Sequence, residues 1–260
     1  KNVEFRVYNP FGRRVENLML RQLLNLGDFS RLDHRMHNKA LIIDNRAGIV
    51  GGRNIADEYF GYHPEANFRD MEVLLVGPSV VDLSNLFDEF WNNPWSFPLD
   101  QIHLAQPSGM DLLTFRDWVF QEVSIGLVES SDSRLQKWKE IAATAKSGSA
   151  RLIADQPALK NPADHDEFPD QLASELRAWL AKAESDLILV SAYLIPTPEL
   201  ENAIEEAEAR GVRVRILTNS IRSNNHLAAH SAYRHHIHRL LQHGAELHEV
   251  RAFAKDRHLY

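Results

Sequence analysis

Apolar residues recur along this chain in two rhythms that take turns. Short runs at residues 3–8, 40–44, 47–50, 71–76, 151–154, 187–191, 212–217 and 246–250 have the length and residue types of strands. Between them, residues 13–26, 55–59, 79–92, 112–128, 133–145, 169–183, 198–209 and 227–243 carry helical periodicity. In "ELENAIEEAEARG", Leu200, Ile204 and Ala207 share one face, acids and bases occupy the other, and Gly211 stops the helix. Alternation of this kind predicts a mixed α/β architecture.

The rhythm fails between Pro94 and about Phe168, where "NNPWSFPLD", "QPSG", "KSGS" and "LKNPADHDEFPD" are turn and linker chemistry around two helices. The expected organisation is therefore a first lobe over 1–105, a connecting region over 106–168 and a second lobe over 169–260. A faint internal repeat supports two lobes. "NVEFRVYNP" and "GVRVRILTNS" are both alternating strands ending in a polar turn, each leads into a helix, and Leu-Leu-x-x-Gly recurs at 23–27 and 240–244.

Composition narrows the chemistry. The chain has 260 residues, 44% hydrophobic and 25% charged, with a net charge of −7. An acidic balance disfavours a protein that coats nucleic acid by charge alone. Without cysteine there is neither a disulfide framework nor a thiolate metal site, and the 13 histidines have no spacing that forces a metal centre. No run approaches the roughly 20 apolar residues of a membrane span.

One stretch combines a predicted buried strand with reactive side chains. In "MHNKALIID", His37 and Lys39 are two residues apart and so share a strand face. Both can then touch one anion, held by an apolar run that ends at Asp44. "NRAGIVGGRN" follows as a turn, a second strand and a Gly51-Gly52-Arg53-Asn54 turn expected to open a short helix. Glycines permit close backbone approach, a helix N-terminus offers N–H groups to an anion, and Asn54 suits an N-cap or an amide donor. A histidine among a lysine, an asparagine and a Gly-Gly turn is the chemistry of a phosphate pocket holding a nucleophile.

In order and spacing, His37, Lys39 and Asp44, followed by Gly51, Gly52 and Asn54, resemble the phospholipase D superfamily and its His-x-Lys-x4-Asp signature. The flanks "GGRNIADEYF" and "FRDMEVLLVGPSVVDLSNLFDEFWN", with "LVSAYLIP" and "VRILTNS" further on, are similar to the bacterial cardiolipin synthase branch that lacks membrane-spanning segments.

The resemblance implies two similar α/β/α lobes with mixed sheets, both incomplete in this chain. It implies phosphatidyl transfer between phospholipids through a phosphohistidine, without metal or cofactor. The same chemistry resolved by water is hydrolysis of a phospholipid or nucleic acid phosphodiester. A non-catalytic lipid-binding scaffold is the reading from another class. His37 is implied as nucleophile or general acid, Lys39 and Asn54 as holders of the phosphate oxygens, and Asp70 as partner of the imidazole. Asp44 is implied to anchor the strand end, with Gly52, Arg53 and His230, beside Tyr233, lining the substrate. The partners implied are phospholipids at a bacterial inner membrane, approached peripherally, and nucleic acid is disfavoured. Members of the superfamily use two copies of the motif. Here His37 is the one histidine followed two residues later by lysine, so a second copy is expected beyond Tyr260.

Overall fold

The computed structural model describes residues 3–12, 20, 23–24, 35–64, 67–102, 131–157, 171–224 and 227–251. The chain divides into two compact units, one comprising residues 1–36 with 81–152, the other 37–80 with 153–260. The architecture is mixed α/β, as the alternating rhythms predict.

The best-formed core belongs to a three-stranded parallel sheet of β6 (Asp186–Ser191), β7 (Arg213–Asn219) and β8 (Glu246–Val250), in that order. Parallel neighbours need crossovers. Here α5 (Pro198–Ala209) links β6 to β7, while α6 (Leu227–Arg234) and α7 (Ile237–Gln242) link β7 to β8. In register, Leu187 and Leu189 of β6 lie beside Val214 and Ile216 of β7, with Leu247 of β8 next to Ile216. Ile204, Ala207, Tyr233 and Leu240 from the helices complete this core. Ile216 is fully buried.

Both crossovers end in the same way. After α5, the Val212 N–H reaches the Ala207 carbonyl and the Gly211 N–H that of Glu208. After α7, the Ala245 N–H reaches Leu240 and the Gly244 N–H reaches Leu241. These pairs are Schellman motifs, which require a left-handed residue, and Gly211 (φ 86°) and Gly244 (φ 107°) supply it. The repeated Leu-Leu-x-x-Gly ending thus has a physical basis in its second copy.

The predicted helix over 227–243 is interrupted. His235 and His236 close three-residue turns onto Ala232 and Tyr233, which lets the His236 ring turn toward α5. Its Nδ1 lies 2.7 Å from Glu201 Oε1, and Arg239 holds Glu201 Oε2 at 3.0 Å. Glu201 is buried with Ile204 and Ala207, so one acid of the polar face expected on this helix belongs to its inner side, and His236 is an interhelical partner.

A second sheet is antiparallel, with β3 (Ala47–Gly51) between β2 (Ala40–Ile43) and β4 (Glu72–Val76). The β2–β3 turn places Asp44 and Asn45 at φ 52° and 54°, a conformation Asp and Asn tolerate better than most side chains. Leu41, Ile43, Val73 and Val76 remain about half exposed or more, so β2 is not covered on both faces as its continuous apolar run predicts.

In the remaining unit, β1 (Arg6–Tyr8) pairs antiparallel with β5 (Ser96–Pro98). The segment "NNPWSFPLD", expected as turn and linker, thus holds a strand. Tyr8 packs edge-on against Phe90 of α2 (Ser79–Trp91), and the Arg6 guanidinium lies over the Trp91 ring while donating to the Trp91 carbonyl. The aromatics before Pro98 therefore pack on β1, with Phe87 stacked on Trp91. Residues 151–154 form no strand, because no neighbour offers them a ladder among the described residues. The helices α3 (Ser131–Thr144) and α4 (Gln171–Lys182) match the periodicity closely. The helix expected over 112–128, and most of that over 13–26, lie outside the described residues.

Glu208 is an exception to the pairing seen at Glu201. Both of its carboxyl oxygens are buried without a hydrogen-bond partner, against Gly244. Burial raises its pKa above the ordinary 4.5, with His243 opposing the shift. The native state then holds a proton that the unfolded chain releases, so stability falls as pH rises from 4.5 through the raised value. Glu208→Met is expected to stabilise the protein by on the order of 1 kcal/mol at neutral pH and to flatten that pH dependence. Thermal unfolding of both forms from acid to neutral pH checks this, and an unchanged or lower neutral midpoint contradicts it.

Candidate active site

The His37 cluster forms where β2 begins, β3 ends and β4 begins. The ladder pairs Gly51 with Glu72 and Ala40 with Val50. Continued past its last pairs, the same register brings Lys39 to Gly51, and His37 and Asp70 to the row of Arg53. A strand end is a firm base for such a group, because the ladder fixes the backbone while the side chains meet solvent.

Lys39 Nζ lies 3.0 Å from His37 Nδ1 and 2.5 Å from the His37 carbonyl oxygen. The imidazole is exposed and the lysine half-buried. Burial lowers the Lys39 pKa from its ordinary value, and the Asp70 carboxylate partly opposes that shift. Asp70 accepts the Met71 N–H at 2.8 Å, and among the described residues no hydrogen bond joins it to His37. Its charge acts on the lysine through space.

Gly51 and Gly52 are what admit the acids. A Cβ on Gly52 would lie 2.7 and 2.8 Å from the Asp70 carboxyl oxygens, and one on Gly51 would lie 2.7 Å from Glu72 Cγ. Any side chain here would displace β4 or its carboxylates. Arg53 spans the same edge. Its Nε donates to Glu72 Oε1 at 2.6 Å, its Nη1 to the Tyr59 carbonyl, and its guanidinium lies 5.8 Å from the Phe60 ring centroid.

The anion-binding helix start expected at Asn54 does not form. Helix α1 (Asp57–Phe60) begins later, has four residues, and has Ala56 at its N-cap. Asn54 instead donates to the Tyr59 hydroxyl at 2.8 Å. Glu72 and Tyr59 are members of the cluster that the sequence reading missed. Glu72 had a usable signal, since it shares a strand face with Asp70. Asp44 stands at the opposite end of β2, in the turn to β3.

His230 lies on α6, in the crossover from β7 to β8. It is 7% exposed, its Nδ1 has no hydrogen-bond partner, and its ring meets Tyr233 edge-on at 5.5 Å. Tyr233 donates to Glu249 at 3.1 Å, and burial, then that carboxylate, push its phenol pKa well up. Among the described residues no hydrogen bond or ring contact joins His230 to the His37 cluster. Nor do three or more His, Asp or Glu side chains there converge as a metal site.

Comparison with known proteins bears on what this arrangement is. Residues 176–259 match the family described as cardiolipin synthase, phospholipase D-like domain. The chain is 31% identical over 265 residues to cardiolipin synthase C of Escherichia coli K12, covering 96% of this chain and 52% of that protein. An uncharacterized protein of Helicobacter pylori J99 is 26% identical over 257 residues, covering 96% of this chain and 50% of its own length. Among solved structures, phosphatidylserine synthase of Haemophilus influenzae matches with a TM-score of 0.47 and 12% identity, over 82% of this chain and 50% of that one. These sequence matches liken residues 176–259 to the phospholipase D-like domain of the cardiolipin synthase family, and nearly the whole chain to cardiolipin synthase C. The chain spans about half the length of the relatives it matches.

The electrostatics give a direct test. Asp70→Asn removes the charge that holds the Lys39 pKa up, so Lys39 is expected to titrate lower still. Gly52→Ala is expected to act in the same direction by displacing that carboxylate. NMR titration of the lysine side chain measures both, and a Lys39 pKa that rises in Asp70→Asn refutes the assignment.

Proposed function

We propose that the protein containing this chain transfers a phosphatidyl group from one phospholipid to the alcohol of another, as in cardiolipin synthesis. The observation that carries the reading is the His37–Lys39 contact at a strand end, within the field of Asp70 and beside a Gly-Gly pair where any Cβ would meet Glu72 or the Asp70 carboxylate. The likeness to cardiolipin synthase C over nearly the whole chain supports the lipid substrate.

In this reading a histidine nitrogen attacks phosphorus, and the bond from phosphorus to the leaving headgroup oxygen breaks. That oxygen takes a proton from a second histidine. The acceptor alcohol then returns a proton to that second histidine as its oxygen displaces the first from phosphorus. Lys39, with Asn54 released from Tyr59, neutralises the phosphoryl oxygens as charge gathers on them. Asp70 orients the imidazole and stabilises its protonated form. Arg53 and Gly52 shape the edge of the phosphate site, and His230 serves the substrate from the second lobe. The second histidine is assigned to another His-x-Lys-x4-Asp copy elsewhere in the whole protein. Hydrolysis differs only in taking water as the acceptor.

The protein meets its substrate peripherally, at a bacterial membrane. Among the described residues, no helix is long and apolar enough to cross a membrane.

The test supplies labelled phosphatidylglycerol, with and without phosphatidylethanolamine, to the whole protein. Labelled cardiolipin is expected from the wild type, and His37→Ala is expected to lose several orders of magnitude in rate with its fold intact. Cleaved DNA with untouched lipid would overturn the proposal.

A further inference from the structure

Helix α3 carries an apolar stripe with no partner among the described residues. Leu135, Trp138 and Ile141 follow one another at three-residue intervals and are 54%, 51% and 45% exposed. That spacing puts them on one face, with Ala142 a turn beyond Trp138. The opposite face is polar, and there Gln136 donates to Glu140 at 3.1 Å.

Charge identifies what this face meets. Lys139 lies one turn after Leu135 and Lys137 one turn before Ile141, so lysines border the stripe on both sides. The helix holds three bases, Arg134, Lys137 and Lys139, against two acids, Asp132 and Glu140, with Arg134 one turn before Trp138. The chain as a whole carries −7, so this positive border is a local feature against an acidic background. A tryptophan among aliphatic residues, bordered by lysines whose stems lie along apolar surface while their heads reach outward, fits the interface of an anionic bilayer. Helix α4 also exposes Leu172, Leu176 and Trp179, but an acid, Glu175, borders that stripe. Its buried Leu180 also ties α4 to the end of α5, where the Leu180 carbonyl accepts from Arg210.

The geometry points to α3 as the element that docks this protein on an anionic phospholipid surface, its axis along the membrane plane and Trp138 at the centre of the buried stripe. This rests on the phospholipid-transfer reading for its choice of partner, and it adds the surface by which substrate is approached.

The experiment uses the full chain in a His37→Ala background, so that no lipid is consumed. Co-sedimentation compares phosphatidylcholine vesicles with vesicles in which roughly a third of the lipid is phosphatidylglycerol. The expected result is strong binding to the second and weak binding to the first. Trp138→Ser should lower partition roughly tenfold with an unchanged circular dichroism spectrum, since the side chain is exposed. Lys137→Glu with Lys139→Glu should abolish the preference for anionic vesicles while leaving residual binding through the stripe. Equal binding to both vesicle types, or unaltered partition of Trp138→Ser, overturns the inference. So does lipid-free self-association that Trp138→Ser abolishes, because a second copy would then be the occupant. Failed vesicle binding beside intact lipid transfer by the whole protein sinks the docking helix alone. Intact vesicle binding beside failed transfer sinks the reaction alone.

Discussion

The absence of side chains at Gly51 and Gly52 is the constraint on which the His37 cluster depends. At both positions the volume of a Cβ is already taken, by Glu72 Cγ of β4 beside Gly51 and by the Asp70 carboxylate just before β4 beside Gly52. Two acids are thereby drawn against the edge where Lys39 and Arg53 stand. The consequences reach in three directions. Arg53 closes onto Glu72 and pins the loop leading to Tyr59, Asn54 finds the Tyr59 hydroxyl, and Lys39 titrates under the opposed influences of burial and Asp70. Glycine serves here by close approach and not by an unusual backbone angle, since neither residue has a positive φ.

The helices on the parallel sheet handle their charges differently. Glu201 is drawn into the helix interface but fully engaged, one oxygen by His236 and the other by Arg239. A buried ion of this kind is tolerated only when its hydrogen bonds are met, and it favours one helix arrangement over its alternatives more than it adds stability. The break between α6 and α7 follows from it, because a continuous helix would carry His236 elsewhere on the wheel. Glu208 lies seven residues further along the same helix and lacks such partners, so it favours the protonated form. The His37 cluster is the opposite case, with its charges near water and its imidazole exposed, as the proposed role in receiving a substrate requires.

Much of this was legible in the sequence because periodicity is local. The strands at 40–43, 47–51, 72–76, 186–191, 213–219 and 246–250 and the helices at 79–91 and 198–209 follow from spacing that any short window contains. What was not legible depended on partners distant in the chain. β5 exists because β1 pairs with it, and its own residues, Ser-Phe-Pro after a tryptophan, look like a turn. Glu201 reads as surface until a histidine 35 residues away takes it. Asn54 reads as a helix cap until Tyr59 accepts its amide hydrogen. Of the candidate site, the grouping of His37, Lys39 and Asp70 was readable as a spaced pattern. The role of Glu72 in holding Arg53 needed the register of β3 against β4.

The proposed reaction also explains why a lysine rests on the histidine it is meant to assist. An ammonium can only donate, so its contact with Nδ1 leaves the proton of a neutral ring on Nε2, and that nitrogen then has no lone pair with which to attack. A phosphodiester entering the site competes for the same cation with a full negative charge, which neither a ring nitrogen nor a carbonyl can match. Drawing Lys39 onto the phosphate frees Nδ1 to carry the proton, toward a carboxylate whose field already reaches this edge, and turns Nε2 into the nucleophile. On this account the substrate's own charge selects the reactive tautomer, and burial serves the exchange by leaving the Lys39 ammonium less hydrated and readier to leave its neutral partners for an anion.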